Sequence, residues 1–208
     1  MERGGIEVNI RHHIKYLISK GVKISLISNK IDIKGLNLNK KKFKLIKTDT
    51  KFKNTILPYR FLTSFFSIKK LIRTIKNSKN DSTIVFSMQS SMVSIIISKL
   101  YKTKIIARNS EDPISSTIYA DNYFTSILVF FLRFIIYNFA DGILTNSYGS
   151  KKSLELFLIN KDKIKTIYNP YLLSTRKNLN YRKKNVILSV GRLVKQKNFE
   201  TLIRGFSI

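Results

Sequence analysis

Arg192 and Lys197 are the side chains whose setting most directly suggests chemistry. They follow Val186-Ile187-Leu188-Ser189-Val190, a run of apolar or small residues suited to a strand buried on both faces, and Gly191, which ends it. Beyond them Phe199, Leu202, Ile203 and Phe206 recur at the spacing of one helix face. A buried strand, a cationic loop and a helix start form a seat for a phosphate-bearing ligand, because free N–H groups and the helix dipole favour anions there. The same pattern also fits an ordinary strand-turn-helix with two solvated cations, and spacing alone favours that plainer reading.

Two other groups stand out. Arg108 and Asn109 come just past the apolar run Lys104 to Ala107, read as a strand. Open α/β sheets bind ligands outside the carboxyl ends of their strands; the alternative is a capped loop leading to a helix. Gly4 and Gly5 precede a helical stripe of Ile6, Ile10, Ile14 and Leu17 that closes at Gly21. The two histidines, His12 and His13, fall within that helix, where surface or packing roles fit them best. Cysteine is absent, which excludes disulfides and zinc–thiolate sites. The carboxylates are few and lack the pairing of a hydrolase site, and no Asp-x-Asp occurs.

The elements that must position these residues alternate. Strands are predicted over Val22 to Ile27, Phe43 to Ile46, Thr83 to Phe86, Lys104 to Ala107, Ile143 to Thr145 and Lys165 to Tyr168. Helices are predicted from Pro58 to about Lys76, up to Leu100, over Phe124 to Ala140, and from an N-cap at Ser147 through Leu154, Phe157 and Leu158. Such alternation is the signature of a doubly wound parallel sheet. The most apolar stretch, Phe124 to Ala140, is shorter than the roughly 20 residues of a membrane span and carries Arg133 near its middle, so it reads as a buried or interfacial helix.

The run SVGRLVKQKNFETLI resembles the opening of the second domain in retaining glycosyltransferases of family 4, which have the GT-B fold. "GG.E" at Gly4-Gly5, and "ADGILTNS…K" with "IKTIYNP" around residues 140–170, are similar to the glycine-rich turn and the end of the first domain in that family. The resemblance implies an α/β chain of GT-B type. Residues 1–170 would be the acceptor-side domain, lacking its first strand; 171–185 a polar linker; and 186–208 the first strand and helix of a donor-binding domain. It implies that Gly4, Gly5, Arg192 and Lys197 face the diphosphate of a nucleotide-sugar donor, and that Arg108 and Asn109 border the acceptor pocket. No catalytic residue is assigned: the loop where some relatives place a functional His reads Ser87-Met88-Gln89-Ser90, and the family's E-x7-E segment would lie beyond Ile208. No metal or other cofactor is expected, the nucleotide-sugar being a co-substrate. Partners would be that donor and a glycan or lipid-linked acceptor, at the cytoplasmic face of a membrane. The chain alone is expected to be inactive, as an incomplete polypeptide of this ancestry.

The net charge of +27 in 208 residues is the main argument for another class, a basic protein binding nucleic acid or an anionic surface. However, the lysines are scattered and accompany abundant Ile and Asn, the usage of an AT-rich genome. A clustered cationic face with aromatic platforms is not visible, so nucleic acid is not expected as a partner. The basic surface instead predicts peripheral membrane contact that weakens with salt.

Overall fold

The computed structural model describes residues 5–28, 38, 41–48, 59–78, 82–118, 123–169, 185–191, 193 and 197–206. The elements run α1 (Gly5–Ser19), β1 (Ile24–Ser28), β2 (Phe43–Lys47), α2 (Tyr59–Asn77), β3 (Ile84–Ser87), α3 (Ser91–Leu100), β4 (Lys104–Asn109), α4 (Pro113–Ile118), α5 (Tyr123–Tyr137), β5 (Gly142–Thr145), α6 (Tyr148–Glu155), β6 (Ile164–Thr166) and α7 (Phe199–Phe206). Every strand pair is parallel. Parallel neighbours need a crossover between them, and a helix intervenes in the steps from β3 to β4, β4 to β5 and β5 to β6.

The core lies where β4 and β5 are paired on both sides. Ile105, Ala107, Ile143 and Ile164 from the strands meet Ile95 of α3, Tyr137 of α5 and Leu154 of α6. Asp141 anchors the entry to β5. Its carboxylate accepts from Lys99 Nζ at 2.7 Å and from the Ile105 N–H at 2.8 Å, while its own N–H donates to the Ile105 carbonyl. Helix α5 stops because Asn138 turns its amide back onto the Phe134 carbonyl and accepts the Ile159 N–H.

Local signals read from the sequence hold at several joints. Gly21 adopts the left-handed φ of +84° that ends α1, which a side chain would oppose. Ser147 caps α6, accepting the Ser150 N–H at 3.1 Å.

Three expectations need correction. β4 extends through Asn109, so Arg108 and Asn109 are its last two residues, not a loop past its end. β6 covers Ile164–Thr166, leaving Ile167 and Tyr168 outside the strand. Val186 to Val190 belongs to no described strand and is exposed throughout, with Leu188 at 83% and Val190 at 86%. A parallel strand is held by its neighbours, and no described strand runs beside this one.

The sheet is also divided. Among the described residues β1 pairs with β2 alone, and β3 to β6 form a separate four-stranded sheet. Helices tie the two parts together: α1 packs on β1 while its His13 ring lies 5.8 Å from Phe86 of β3, and α2 packs on both β1 and α3.

Candidate functional site

The carboxyl ends of β3 and β4, with the start of α3, open into a cleft of about 420 Å³. Arg108 and Asn109 line it, together with Ile6 at the start of α1, Met88 to Val93, Ser110, Glu111, and Arg133 and Tyr137 from α5. The sheet puts them there: β4 carries its final side chains to the carboxyl edge, and the turn after β3 faces them. Ser90 in that turn sits at φ 53°, a left-handed conformation that directs the backbone into α3 without a side-chain cap.

Arg108 is buried, and its guanidinium donates to Asn169 Oδ1 and reaches Met88 Sδ at 3.9 Å. Asn9 of α1 donates to the same oxygen at 3.1 Å. Burial lowers the Arg108 pKa from its usual value. Asn109 turns its amide inward, to the Glu111 carbonyl and to Ser150 Oγ at 3.1 Å, so it fixes the cleft wall to the start of α6. Tyr137 is also buried. Burial raises its phenol pKa, against the nearby charge of Arg133 and a hydrogen bond with Ser91; Glu111 adds to the rise. The phenol therefore stays neutral and keeps a proton to donate. Two cations and a neutral phenol at one cleft can bind an anionic or polyhydroxylated ligand.

The other predicted positions fall differently. Gly5 opens α1, one residue before Ile6 of the cleft; Gly4 and Arg192 lie outside the described residues. Lys197 is exposed just before α7 and does not line the cleft. Its side chain and the Phe199 ring lie against Gly191, where an added Cβ would meet the ring at 3.2 Å. Sequence reasoning missed Ser91, Tyr137, Asn9 and Asn169 as parts of the cleft or its frame. Tyr137 was hidden in an apolar helix, while Asn169 stood in the IKTIYNP motif without a role.

Parallel strands joined by crossover helices, with a ligand-sized cleft at their carboxyl ends, define an open α/β domain. The chain belongs to glycosyltransferase family 4, whose family model matches residues 3–173. It is 30% identical over 158 residues to the Campylobacter jejuni N-acetylgalactosamine-N,N'-diacetylbacillosaminyl-diphospho-undecaprenol 4-alpha-N-acetylgalactosaminyltransferase, covering 71% of this chain and 42% of that protein. Among solved structures it resembles the apo form of the lipopolysaccharide outer core galactosyltransferase WaaB, with a TM-score of 0.53, 19% identity, and coverage of 83% of this chain and 44% of that one. It also resembles Anabaena HepE in complex with UDP-glucose, with a TM-score of 0.52, 14% identity, and coverage of 82% and 42%. The chain thus spans less than half the length of these relatives.

Proposed function

We propose that this chain is the acceptor-side part of a retaining glycosyltransferase that moves a sugar from a nucleoside-diphosphate donor to a surface polysaccharide or lipid-linked acceptor. The observation that carries this reading is the cleft at the ends of β3 and β4, walled by Arg108, Asn109, Arg133 and Tyr137, in a chain of family 4. A lipid-linked acceptor draws support from the diphospho-undecaprenol named for the Campylobacter jejuni relative. The complex of HepE with UDP-glucose supports a nucleotide-sugar donor.

In this reading Gly4 and Gly5 let the backbone approach the donor diphosphate, and the start of α1 adds a favourable dipole. Arg192 and Lys197 neutralise the charge that builds on the leaving diphosphate, a role a metal plays in other enzymes. Arg108 and Arg133 meet the acceptor, and Asn109 holds the wall in place. Transfer needs the donor enclosed from both sides, so the 208 residues alone transfer no sugar. The reaction takes place at the cytoplasmic face of the membrane.

The experiment joins the chain to a complete second domain and a first strand, then follows transfer from UDP-sugars to a polyprenyl-diphosphate-linked glycan. Arg192→Ala or Lys197→Ala should slow transfer about 100-fold. Turnover by the 208-residue chain, or extended variants working at full rate, would sink the assignment of Arg192 and Lys197.

A further inference from the structure

Arg108 is a buried cation for which the fold supplies no counter-charge. It is 7% exposed, yet among the described residues no carboxylate pairs with it. A guanidinium carries several fixed N–H donors, and the contacts of this one are two neutral atoms, Asn169 Oδ1 and Met88 Sδ. Burying a charge is costly unless it is paired. Here burial alone acts on the pKa of Arg108, with no opposite charge to offset it.

The start of α3 brings donors of its own to the same cleft. The N–H groups of Ser91, Met92 and Val93 have no acceptor among the described residues, and Ser90 adds no side-chain cap. Arg108, Ser91 and Tyr137 are the buried part of the lining, whereas the Glu111 carboxylate stands exposed, where solvent screens it.

We infer that the buried end of the cleft binds an acidic sugar, whose carboxylate or phosphomonoester lies between the Arg108 guanidinium and the N–H groups that open α3. Charge-assisted bonds to a guanidinium are among the strong ones, and a helix N-terminus favours negative charge. Tyr137 is left to donate to a hydroxyl of the same ring. The anion needs a free end to reach this buried lining. A carrier diphosphate is esterified on both sides, so it would have to lead chain into and out of a cleft of about 420 Å³. The sugar as acceptor makes that acceptor an acidic glycan; this step, though not the anion site, rests on the proposed function.

The test titrates the isotope-labelled full chain with glucuronate, glucose-6-phosphate, glucose, geranyl diphosphate and UDP, each followed at the backbone amides of Ser91, Met92 and Val93 by NMR. Glucuronate or glucose-6-phosphate should move these amides, and the tighter of the two names the acidic group. Glucose at the same concentration should not. Asn169→Asp keeps an acceptor for Arg108 and Asn9 and adds the missing counter-charge. It should weaken the acidic sugar about tenfold or more while the urea midpoint holds or rises, which a merely structural role for Asn169 would not produce. Arg108→Gln should abolish the response, and Asn169→Asp decides the matter if Arg108→Gln does not fold. General attraction to a chain of +27 would move amides across the surface and survive one added charge. Four results would overturn the inference: no response at these amides, an equal response to glucose, undiminished binding in Asn169→Asp, or tighter binding of geranyl diphosphate or UDP there. The test involves no donor turnover, so a failure leaves the transferase reading standing with a neutral acceptor.

Discussion

The Arg108 guanidinium donates to Asn169 Oδ1, joining the carboxyl end of β4 to the residues that follow β6. Asn9 donates to the same oxygen, so α1 is held at this point too. One carbonyl oxygen thereby orients a buried cation and fixes the opening of α1 beside the cleft. Losing Asn169 leaves the guanidinium short of a partner, and unsatisfied buried polar groups cost about 1–3 kcal/mol. We expect Arg108→Ala and Asn169→Ala to be non-additive in denaturant unfolding, with a coupling of about 0.5–3 kcal/mol. Strictly additive losses would mean the contact contributes nothing.

Stability should fall with acid in a way traceable to Asp141. Burial pushes its carboxyl pKa up, but the Lys99 hydrogen bond, the Ile105 N–H and the Lys99 charge outweigh this, and the folded value lies below the ordinary one. A depressed carboxyl stabilises the fold above its unfolded pKa of about 4, and the gain disappears as pH drops through the folded value. The Asp141 side chain is 39% exposed, so solvent screens the effect and it should be small. Asp112, which accepts the Ser115 N–H at 2.8 Å, shifts the same way. Asp141→Asn should flatten part of the acid limb in urea titrations run at a series of pH values; an unchanged limb would refute the assignment.

Ser98 is fully buried in α3, and its hydroxyl has no hydrogen-bond partner among the described residues. Removing it relieves an unsatisfied group and gives the helix a better former. Ser98→Ala should leave stability unchanged or raise it by about 1 kcal/mol in urea unfolding. A loss of that size would reveal a partner for the hydroxyl.

The divided sheet predicts uneven protection. Among the described residues β1 and β2 pair only with each other, and two strands alone are marginal in water. Amides of β4 and β5, paired on both sides, should exchange with deuterium far more slowly than those of β1 and β2. Equal protection in both sheets would show that α1 and α2 bind them into one cooperative unit.

Periodicity alone located most elements, because apolar residues at strand and helix spacing reflect burial that holds whatever the neighbours are. Gly21 and Ser147 were legible for a local reason: each acts through its own backbone turn. That Arg108 and Asn109 stand at the carboxyl edge of the sheet was legible, because the order of strands and helices fixes which residues end a strand. Their roles were not. Only the tertiary arrangement turned Asn109 inward toward Ser150 and brought Asn169, 61 positions away, onto Arg108. Buried Tyr137 and the exposed Phe124, Leu128, Phe131 and Ile135 of α5 read as one apolar stretch, since a sequence gives the spacing of side chains but not which face a core will cover. Val186 to Val190 has the composition of a buried strand and remains exposed, because a strand's burial is supplied by neighbours that its own residues do not encode.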